Sequence, residues 1–466
     1  MLTYFPKYFT SRAILCYIIT LALASAFFMS NAMPFQFMLF GIAFVLLFFN
    51  YCNKLTMQWH RYSPKLFKKK LFQTALIIRL VYVIFIFYYY ILMTGDPFMY
   101  ESSDEVGYHN VASLLRDEGW DVFNMYVTTY SLSDRGYFYW LGILYYIFGN
   151  YLLVGRLVKC FLDTFSCLLI YNLAKRNFGE FTGRMTAIFY MMMPSMWYYC
   201  GITLKETDMV FLVLLFVERA DFVMHSKKIT VVSLLLPGLI ILVLFSFRTA
   251  LAAVLVAALV AAIIFSSGKQ LELWKKVLYT SIFGVWMSMT VGVEIIQETE
   301  MLWSGRSQNQ EAGYEWRAER ENGNSFAKYA SATVFAPVIF TIPFTTMVQI
   351  PSQENQMMQN GAFFIKNVMS GFTIFALFVL LFSGEWRKHV LSIAVMCGYL
   401  LVLVFSNFAH SERFHFPVLG LELMFAAYGI SQVKNKQKRW FTFWLIFVCL
   451  ANVAWCYIKL AGRGMA

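Results

Sequence analysis

The sequence predicts an all-α protein that crosses a membrane many times. Of its 466 residues, 59% are hydrophobic, 19% are aromatic and only 14% are charged. Soluble domains carry about 25% charged residues, and disordered chains are poor in apolar residues, so both classes are excluded. Apolar stretches of about 20 residues, long enough to cross a bilayer, recur along the whole chain. These observations leave a polytopic membrane protein.

About thirteen transmembrane helices are predicted. The run 229–266 would be about 57 Å long as one helix, so we divide it into two spans that turn at Arg248. The first span contains small residues of the kind found before signal-peptide cleavage sites. We expect it to remain uncleaved, because cleavage would break the alternation of charged loops. The predicted spans are 13–30, 33–52, 73–95, 151–174, 182–200, 204–224, 229–247, 249–266, 276–295, 363–383, 389–408, 415–432 and 441–460.

The basic residues indicate which loops face the cytoplasm. The chain has 38 Lys and Arg against 26 Asp and Glu, a net charge of +12. With the N-terminus inside, 23 of the 38 basic residues fall in every second loop or end segment. Cytoplasmic loops are enriched in Lys and Arg, so the two long loops 96–150 and 296–362 are expected outside. The positive charge is thus a topology signal next to membrane lipids, and no nucleic-acid partner is expected.

The first outside loop opens with an acidic helix. Ser102 and Glu105 have capping-box spacing, and acids in a first turn suit the helix dipole, so a capped surface helix is one explanation. However, Asp104 and Tyr108 share one helix face, and Glu105 and His109 lie on the neighbouring stripe. A carboxylate, a phenol and an imidazole that converge at the membrane surface would suit proton abstraction from a hydroxyl group.

An aromatic helix and a charged span follow. The segment 136–149 holds seven aromatic residues and is too short to span well, which is typical of an interfacial helix. The next span carries Lys159 and Asp163. Their i, i+4 spacing favours an internally neutralised pair inside the membrane.

Several motifs between about 100 and 210 then occur in a fixed order. They are Asp-Glu-x-x-Tyr-His-x-x-Ala at 104–112, the aromatic helix ending in Phe-Gly at 148–149, a span with Arg156, and Ile-Thr-Leu-Lys-Glu-Thr at 202–207. A weaker motif, Glu-Arg-Phe-His-Phe-Pro, returns at 412–417. This order resembles the GT-C superfamily of membrane glycosyltransferases, in particular the family 39-type protein O-mannosyltransferases and the lipid A aminoarabinose transferases.

The resemblance implies a transferase of the outer face of the cytoplasmic membrane. Such enzymes move a sugar from a polyprenyl-phosphate donor to a hydroxyl group of a glycan, lipid or protein acceptor, here in a pathway of envelope polysaccharides. The first-loop acid, matched by Asp104 with Glu105 beside it, would be the catalytic base or a metal-positioning group. A second-loop acid is matched by Glu206 or Asp208, and both stay open. Superfamily members differ in their use of a divalent cation, so the cofactor stays unknown.

Inverting sugar transfer also needs groups that hold the departing phosphate. Lys205, Arg248 and Arg413 lie at outer ends of predicted spans, and guanidinium groups suit phosphate oxygens. Each cation could instead be an anchor that reaches the lipid headgroups. Together with Tyr108 and His109, these residues form the predicted substrate-binding set.

The second outside loop ends in an apolar stretch at 331–350. It contains Pro337 and Pro343, and a span here would reverse the orientation of every later loop. We therefore expect a re-entrant or interfacial segment whose broken backbone is buried in protein and which walls an acceptor groove. His410 and His415 lie beyond it, and their spacing favours structural roles over a metal site.

Two alternatives to a GT-C transferase remain open. A polysaccharide polymerase or ligase is also polytopic, but would normally rely on outside Arg and His residues. A transporter or flippase for lipid-linked sugars should show two related halves, and no internal repeat is visible. The preferred organisation has N-terminal spans at 1–95, a GT-C-like catalytic core at 96–270, and C-terminal spans at 271–466.

Overall fold

The computed structural model describes residues 2–226, 231–265, 306–406, 408–434 and 438–466. Within these residues every regular element is helical, and the only bridge between extended residues joins Ala32 and Val348. The predicted all-α class is confirmed. The helices, numbered along the described residues, are α1 Lys7–Phe27, α2 Phe35–Trp59, α3 Pro64–Thr94, α4 Ser103–Asp117, α5 Trp120–Thr129, α6 Leu132–Phe148, α7 Leu152–Phe178, α8 Glu180–Met192, α9 Pro194–Cys200, α10 Glu206–His225, α11 Val231–Phe247, α12 Thr249–Phe265, α13 Arg306–Glu319, α14 Ala332–Phe335, α15 Glu354–Met358, α16 Asn360–Ser383, α17 Val390–Val404, α18 Glu412–Gln432 and α19 Lys438–Ala461.

Six of these helices are long and apolar enough to cross a membrane, namely α1, α2, α3, α16, α18 and α19. Shorter apolar helices lie in α11, α12 and α17. The chain is thus a multi-pass membrane protein, as predicted. The count of thirteen spans is not confirmed, and the predicted span 276–295 lies outside the described residues.

Two of the predicted spans show how single residues interrupt a helix. The predicted span 182–200 is two helices, α8 and α9, because Met193 takes an extended conformation before Pro194. Proline disfavours helical geometry in the residue that precedes it. The run 229–266 also divides as predicted, with α11 ending at Phe247 and α12 beginning at Thr249, on either side of Arg248.

Close backbone contacts hold the N-terminal helices against the C-terminal ones. A Cβ atom on Gly361 of α16 would lie 2.5 Å from the carbonyl oxygen of Gly41 in α2, so only glycine fits there. Beside this contact, the Asn360 amide donates to the carbonyl of Phe37 over 2.8 Å and accepts from the Tyr17 hydroxyl over 2.5 Å. Small residues and side-chain amides of this kind are what join helices inside a membrane.

The segment 331–350 is not a continuous helix. Only α14 and a short 3-10 helix at Ala336–Val338 interrupt its irregular course. Side chains of neighbouring helices bind its backbone: the Asn367 amide donates to the carbonyl of Pro343 over 2.9 Å, and the Asn452 amide oxygen accepts from the Thr345 N–H over 2.6 Å. This is the protein-buried broken backbone that the sequence predicts for a re-entrant segment.

The predicted pair of Lys159 and Asp163 is wrong. Asp163 instead accepts a hydrogen bond from Arg79 of α3 and another from Tyr190 of α8, and both Arg79 and Asp163 are almost fully buried. The Lys159 ammonium donates to the carbonyl of Ile202 over 3.0 Å. Each charge meets its counter-charge on another helix: Asp163 meets Arg79 of α3, and Lys159 lies 3.9 Å from Asp208 of α10.

The buried Arg79–Asp163 pair should contribute strongly to the stability of the fold. Asp163→Asn leaves a buried guanidinium without its counter-charge, which costs about 3–5 kcal/mol when such a pair is broken. We expect a clearly lower thermal unfolding midpoint for the purified protein in detergent. Lys388→Ala is the control, because it removes an exposed pair with Glu385 that contributes less than about 1 kcal/mol. Equal midpoints for the two variants would contradict the assignment.

Candidate active site

Three distant parts of the chain meet at one charged cluster. The N-terminus of α4 brings Asp104, the start of α10 brings Glu206 with Lys205 just before it, and the start of α18 brings Arg413. Arg248 joins them from the junction of α11 and α12. The structure thus brings together most of the residues that the sequence predicts for the site.

Arg413 is the bridge of this cluster. Its Nη1 atom donates to Asp104 and its Nε atom donates to Glu206. Glu206 is fully buried, whereas the Asp104 side chain is 53% exposed and the Arg413 side chain 23%. One guanidinium therefore holds a buried acid on one side and an acid open to solvent on the other.

A second guanidinium lies close to the buried acid. The Nη2 atom of Arg248 is 3.9 Å from Glu206, and its Nη1 donates to the Tyr399 hydroxyl over 3.0 Å. The Arg248 guanidinium also lies 4.4 Å above the centre of the Phe414 ring. Glu206 keeps one oxygen, Oε2, without a hydrogen-bond partner among the residues that the structure describes.

Lys205 has a different role from the predicted one. Its ammonium donates to the carbonyl of Ser133 over 2.6 Å, to the Asp134 carboxylate over 2.6 Å and to the carbonyl of Phe247 over 2.8 Å. Three acceptors use all three N–H groups of an ammonium, so none remains for a phosphate. The structure makes Lys205 the residue that joins α6 and α11 to the turn before α10.

Asp134 is a site residue that the sequence analysis missed. It accepts from Lys205 and also from the Tyr108 hydroxyl, over 2.7 Å. Burial alone would raise the pKa of Asp134, but the Lys205 ammonium and these hydrogen bonds outweigh it, so its pKa lies below the usual value. Its only signal in the sequence is an acid in the first turn of the aromatic helix.

Glu105 is placed away from the exposed part of the site. Ser102 makes no side-chain cap, so the capping box is wrong. Glu105 turns inward, pairs with Arg156 over 2.9 Å, accepts from the N–H of Thr203, and accepts from the N–H of Met99 over 2.9 Å. All these partners are protein groups, so we correct the predicted catalytic role of Glu105 to one of positioning α4 against α7 and the turn before α10.

His109 and Asp208 also face other parts of the fold. The His109 ring is 2.9 Å from the Tyr145 hydroxyl, and burial lowers its pKa, so it does not join the charged cluster as predicted. Asp208 accepts from the Trp140 indole over 3.1 Å and lies 3.9 Å from Lys159. Of the two candidates for the second-loop acid, Glu206 is the one that shares a cation with Asp104.

No metal site is evident in the described ranges. They contain no group of three or more His, Cys, Asp or Glu side chains arranged to hold a metal ion. His415 is buried, with its Nδ1 atom 3.0 Å from the Lys366 ammonium and its Nε2 atom 2.6 Å from the carbonyl of Ala409. These contacts agree with the structural role that the sequence favours for it.

Two cavities adjoin the cluster. One of about 140 Å³, called the polar cavity below, includes Arg413 and several other polar side chains among mainly apolar walls. The other, of about 410 Å³, is almost entirely apolar and is lined by α6, α10 and α11, including Phe247. Phe247 lines the apolar cavity, and its carbonyl accepts a hydrogen bond from Lys205. One residue thus connects the apolar cavity to the charged cluster. The charged cluster thus lies between the polar cavity and the apolar cavity.

One known family matches part of the chain. The family model of the Alg9-like mannosyltransferase family matches residues 360–463, which include Arg413. This match covers less than half of the chain and agrees with the GT-C resemblance over those residues only. The matched residues lie in the C-terminal part of the chain, whereas most of the GT-C motifs in the sequence lie at 100–210. No curated protein matches the sequence.

Among solved structures, the chain is similar to the archaeal oligosaccharyltransferase AglB from Archaeoglobus fulgidus, solved with an inhibitory peptide and a dolichol-phosphate. The two share 12% identity with a TM-score of 0.38. The similarity covers 72% of this chain and 48% of AglB, so this chain spans about half the length of that protein. Such a distant likeness carries no inference about the GT-C site.

The adjacent acids Asp104 and Glu105 should differ sharply in their effect on stability. Glu105→Gln breaks a fully buried ion pair and should cost about 3 kcal/mol or more. Asp104→Asn changes a half-exposed group and should cost less than about 1 kcal/mol. Thermal unfolding of the two purified variants measures the difference. A similar loss in both would show that Asp104 is also structural.

Proposed function

We propose that this protein transfers a sugar from a polyprenyl-phosphate carrier to an acceptor hydroxyl group, with inversion at the anomeric carbon. The observation that carries the proposal is the chain of contacts from Asp104 through Arg413 and Glu206 to Arg248. It places an exposed carboxylate beside two guanidinium groups. That combination suits a reaction in which one oxygen loses a proton while another leaves as a phosphate.

Asp104 is the proposed catalytic base. It is the most accessible carboxylate of the cluster, and only one hydrogen bond, from Arg413, binds its side chain within the described chain. It accepts the acceptor's hydroxyl proton as that oxygen bonds to the anomeric carbon. The bond from this carbon to the phosphate oxygen breaks at the opposite face, and the lipid phosphate leaves with the electron pair.

Arg248 and Arg413 are the proposed phosphate ligands. Each guanidinium has five N–H donors, and the protein contacts described above use only part of each set. Guanidinium groups bind phosphate oxygens through paired, charge-assisted hydrogen bonds. Buried Glu206 holds the two guanidinium groups near each other, and Lys205 with Asp134 fixes the turn just before Glu206.

The apolar cavity supports a lipid-linked donor. Tyr139, Trp140, Leu212 and Phe247 are among the residues that line it. Its volume of about 410 Å³ is that of a small-molecule site, and it begins next to the charged cluster. A polyprenyl chain attached to a phosphate at Arg248 would find apolar walls there.

The active site is proposed to face the outside of the cytoplasmic membrane. The support is the alternation of basic loops, which places the loop 96–150 and thus Asp104 outside. The match to a mannosyltransferase family makes polyprenyl-phosphate mannose the first donor to test. A glycan, lipid or protein hydroxyl can serve as the acceptor.

Removal of the proposed base should lower the rate of sugar transfer strongly, while the amount of folded protein stays the same. Asp104→Asn keeps the shape of the side chain but removes its basicity, so kcat for sugar transfer should fall about 10²–10⁴-fold. Radiolabelled donor in membranes that contain equal amounts of folded protein measures it. Asp121→Asn is the control, an exposed acid of the same loop on α5. Near-normal transfer by Asp104→Asn would reject the assignment.

Orientation is tested separately by cysteine labelling in whole cells. Asp104→Cys should react with a membrane-impermeant maleimide added from outside, because position 104 is exposed and predicted to lie outside. Lys69→Cys, in the basic start of α3 that is predicted to be cytoplasmic, should react only after the cells are opened. The unsubstituted chain, whose native cysteines are mostly buried, gives the background. The reverse pattern would overturn the topology.

A further inference from the structure

The polar cavity beside Arg413 is lined by buried groups that lack a partner. Gln359 and Glu412 both line it and are only 5% and 4% exposed. Within the part of the chain that the structure describes, Gln359 Oε1, Glu412 Oε2 and the Trp455 indole N–H have no hydrogen-bond partner. Buried polar atoms normally have a partner, so three at one cavity point to a ligand that supplies it.

The three groups form a set with complementary chemistry. Gln359 and Glu412 offer oxygens that accept, and Trp455 offers an N–H that donates. A sugar hydroxyl can donate and accept at once, so several hydroxyl groups on one ring would satisfy all three. The rings of Tyr198 and Trp455 add apolar surface to the same wall.

A fourth polar side chain of the cavity, Gln356, is held in place by Lys459. The Lys459 ammonium donates to the amide oxygen of Gln356 over 2.6 Å, to that of Gln353 over 2.7 Å and to the Thr346 hydroxyl over 2.7 Å. These bonds use all three ammonium donors and give the Gln356 amide oxygen a partner. Gln356 lines the cavity, and its NH₂ group is the end left for a ligand.

The size and position of the cavity suit one part of the lipid-linked donor, its sugar ring. Its volume of about 140 Å³ is close to that of an engineered cavity of about 150 Å³ that holds benzene, so it has room for no more than about one ring. Arg413 belongs to both the cavity wall and the phosphate site. Since the anomeric carbon is one oxygen away from the phosphorus, the ring attached to a phosphate at Arg413 must lie directly beside it.

We propose that this cavity binds the transferred sugar, an uncharged pyranose, and that Gln359 and Glu412 recognise its hydroxyl groups. The proposal rests on the proposed function, because it takes the phosphate to lie at Arg413. It predicts that a uronic acid is disfavoured, because a ring carboxylate that faces the oxygens of Gln359 and Glu412 would be repelled. Both residues are specificity-determining, and neither takes part in the proton transfer.

Binding of lipids with and without a sugar tests the proposal. Full-length protein in nanodiscs is titrated with bare polyprenyl phosphate and with its mannosyl, N-acetylglucosaminyl and glucuronyl forms. Wild type should bind at least one of the two uncharged sugar lipids more tightly than the bare lipid, and the glucuronyl lipid no more tightly. Gln359→Leu should weaken binding of the preferred sugar lipid about tenfold, the effect of one lost hydrogen bond.

The bare lipid separates this proposal from the proposed function. Gln359→Leu and Glu412→Gln should bind bare polyprenyl phosphate as wild type does, which also shows that both variants are folded. Glu422→Gln is the matched control, because Glu422 lies on the same helix, is buried and has an unpartnered oxygen, but does not line the cavity. It should keep the sugar preference.

Two results would overturn the proposal in distinguishable ways. If wild type prefers neither uncharged sugar lipid, or if Gln359→Leu and Glu412→Gln keep the preference, the sugar pocket is wrong while lipid-phosphate binding still stands. If wild type binds none of the four lipids, the proposed function itself fails, and the sugar pocket fails with it.

Discussion

The bridge made by the Arg413 guanidinium is the contact on which the rest of the site depends. It joins Asp104 and Glu206 to the start of α18, across separations of 309 and 207 residues. Glu206 is fully buried, and a buried carboxylate without a cation costs several kcal/mol, so Arg413 makes its position tolerable. The same contact joins the start of α4 to the starts of α10 and α18. The relative positions of Asp104 and Glu206 and the charge balance of the cluster thus both depend on the Arg413 side chain.

Burial divides the acids of this region into two kinds. Glu105 and Asp163 each meet a cation from another helix and lie within the protein, so their charges serve the fold. Asp104 differs from its neighbour Glu105 by one position on the helix, about 100° of rotation, and that rotation leaves it at the open edge of the cluster. Of the two adjacent acids, Glu105 therefore serves the fold, and Asp104 is available for chemistry.

The sequence analysis predicted the helical class, the breaks near Arg248 and the convergence of Asp104, Glu206, Arg248 and Arg413, because hydropathy and motif order carry that information. It was wrong about Glu105, His109 and Lys159, since an i, i+4 spacing identifies a helix face but not what packs against it. Arg79 meets Asp163 across 84 residues, and no local pattern reveals such a contact. Gln359 and Asp134 were missed for the same reason, because a single amide or acid at a helix start has many explanations.

The irregular segment 331–350 has a consequence for how the chain enters the membrane. Its backbone groups are bound by Asn367 of α16 and Asn452 of α19, which are synthesised after it. Unpaired peptide groups are too costly to leave in hydrocarbon. These two bonds can therefore form only after α16 and α19 have been synthesised. Assembly of the polar cavity beside it is then among the last steps of biogenesis, and a truncated chain without α19 would lack it.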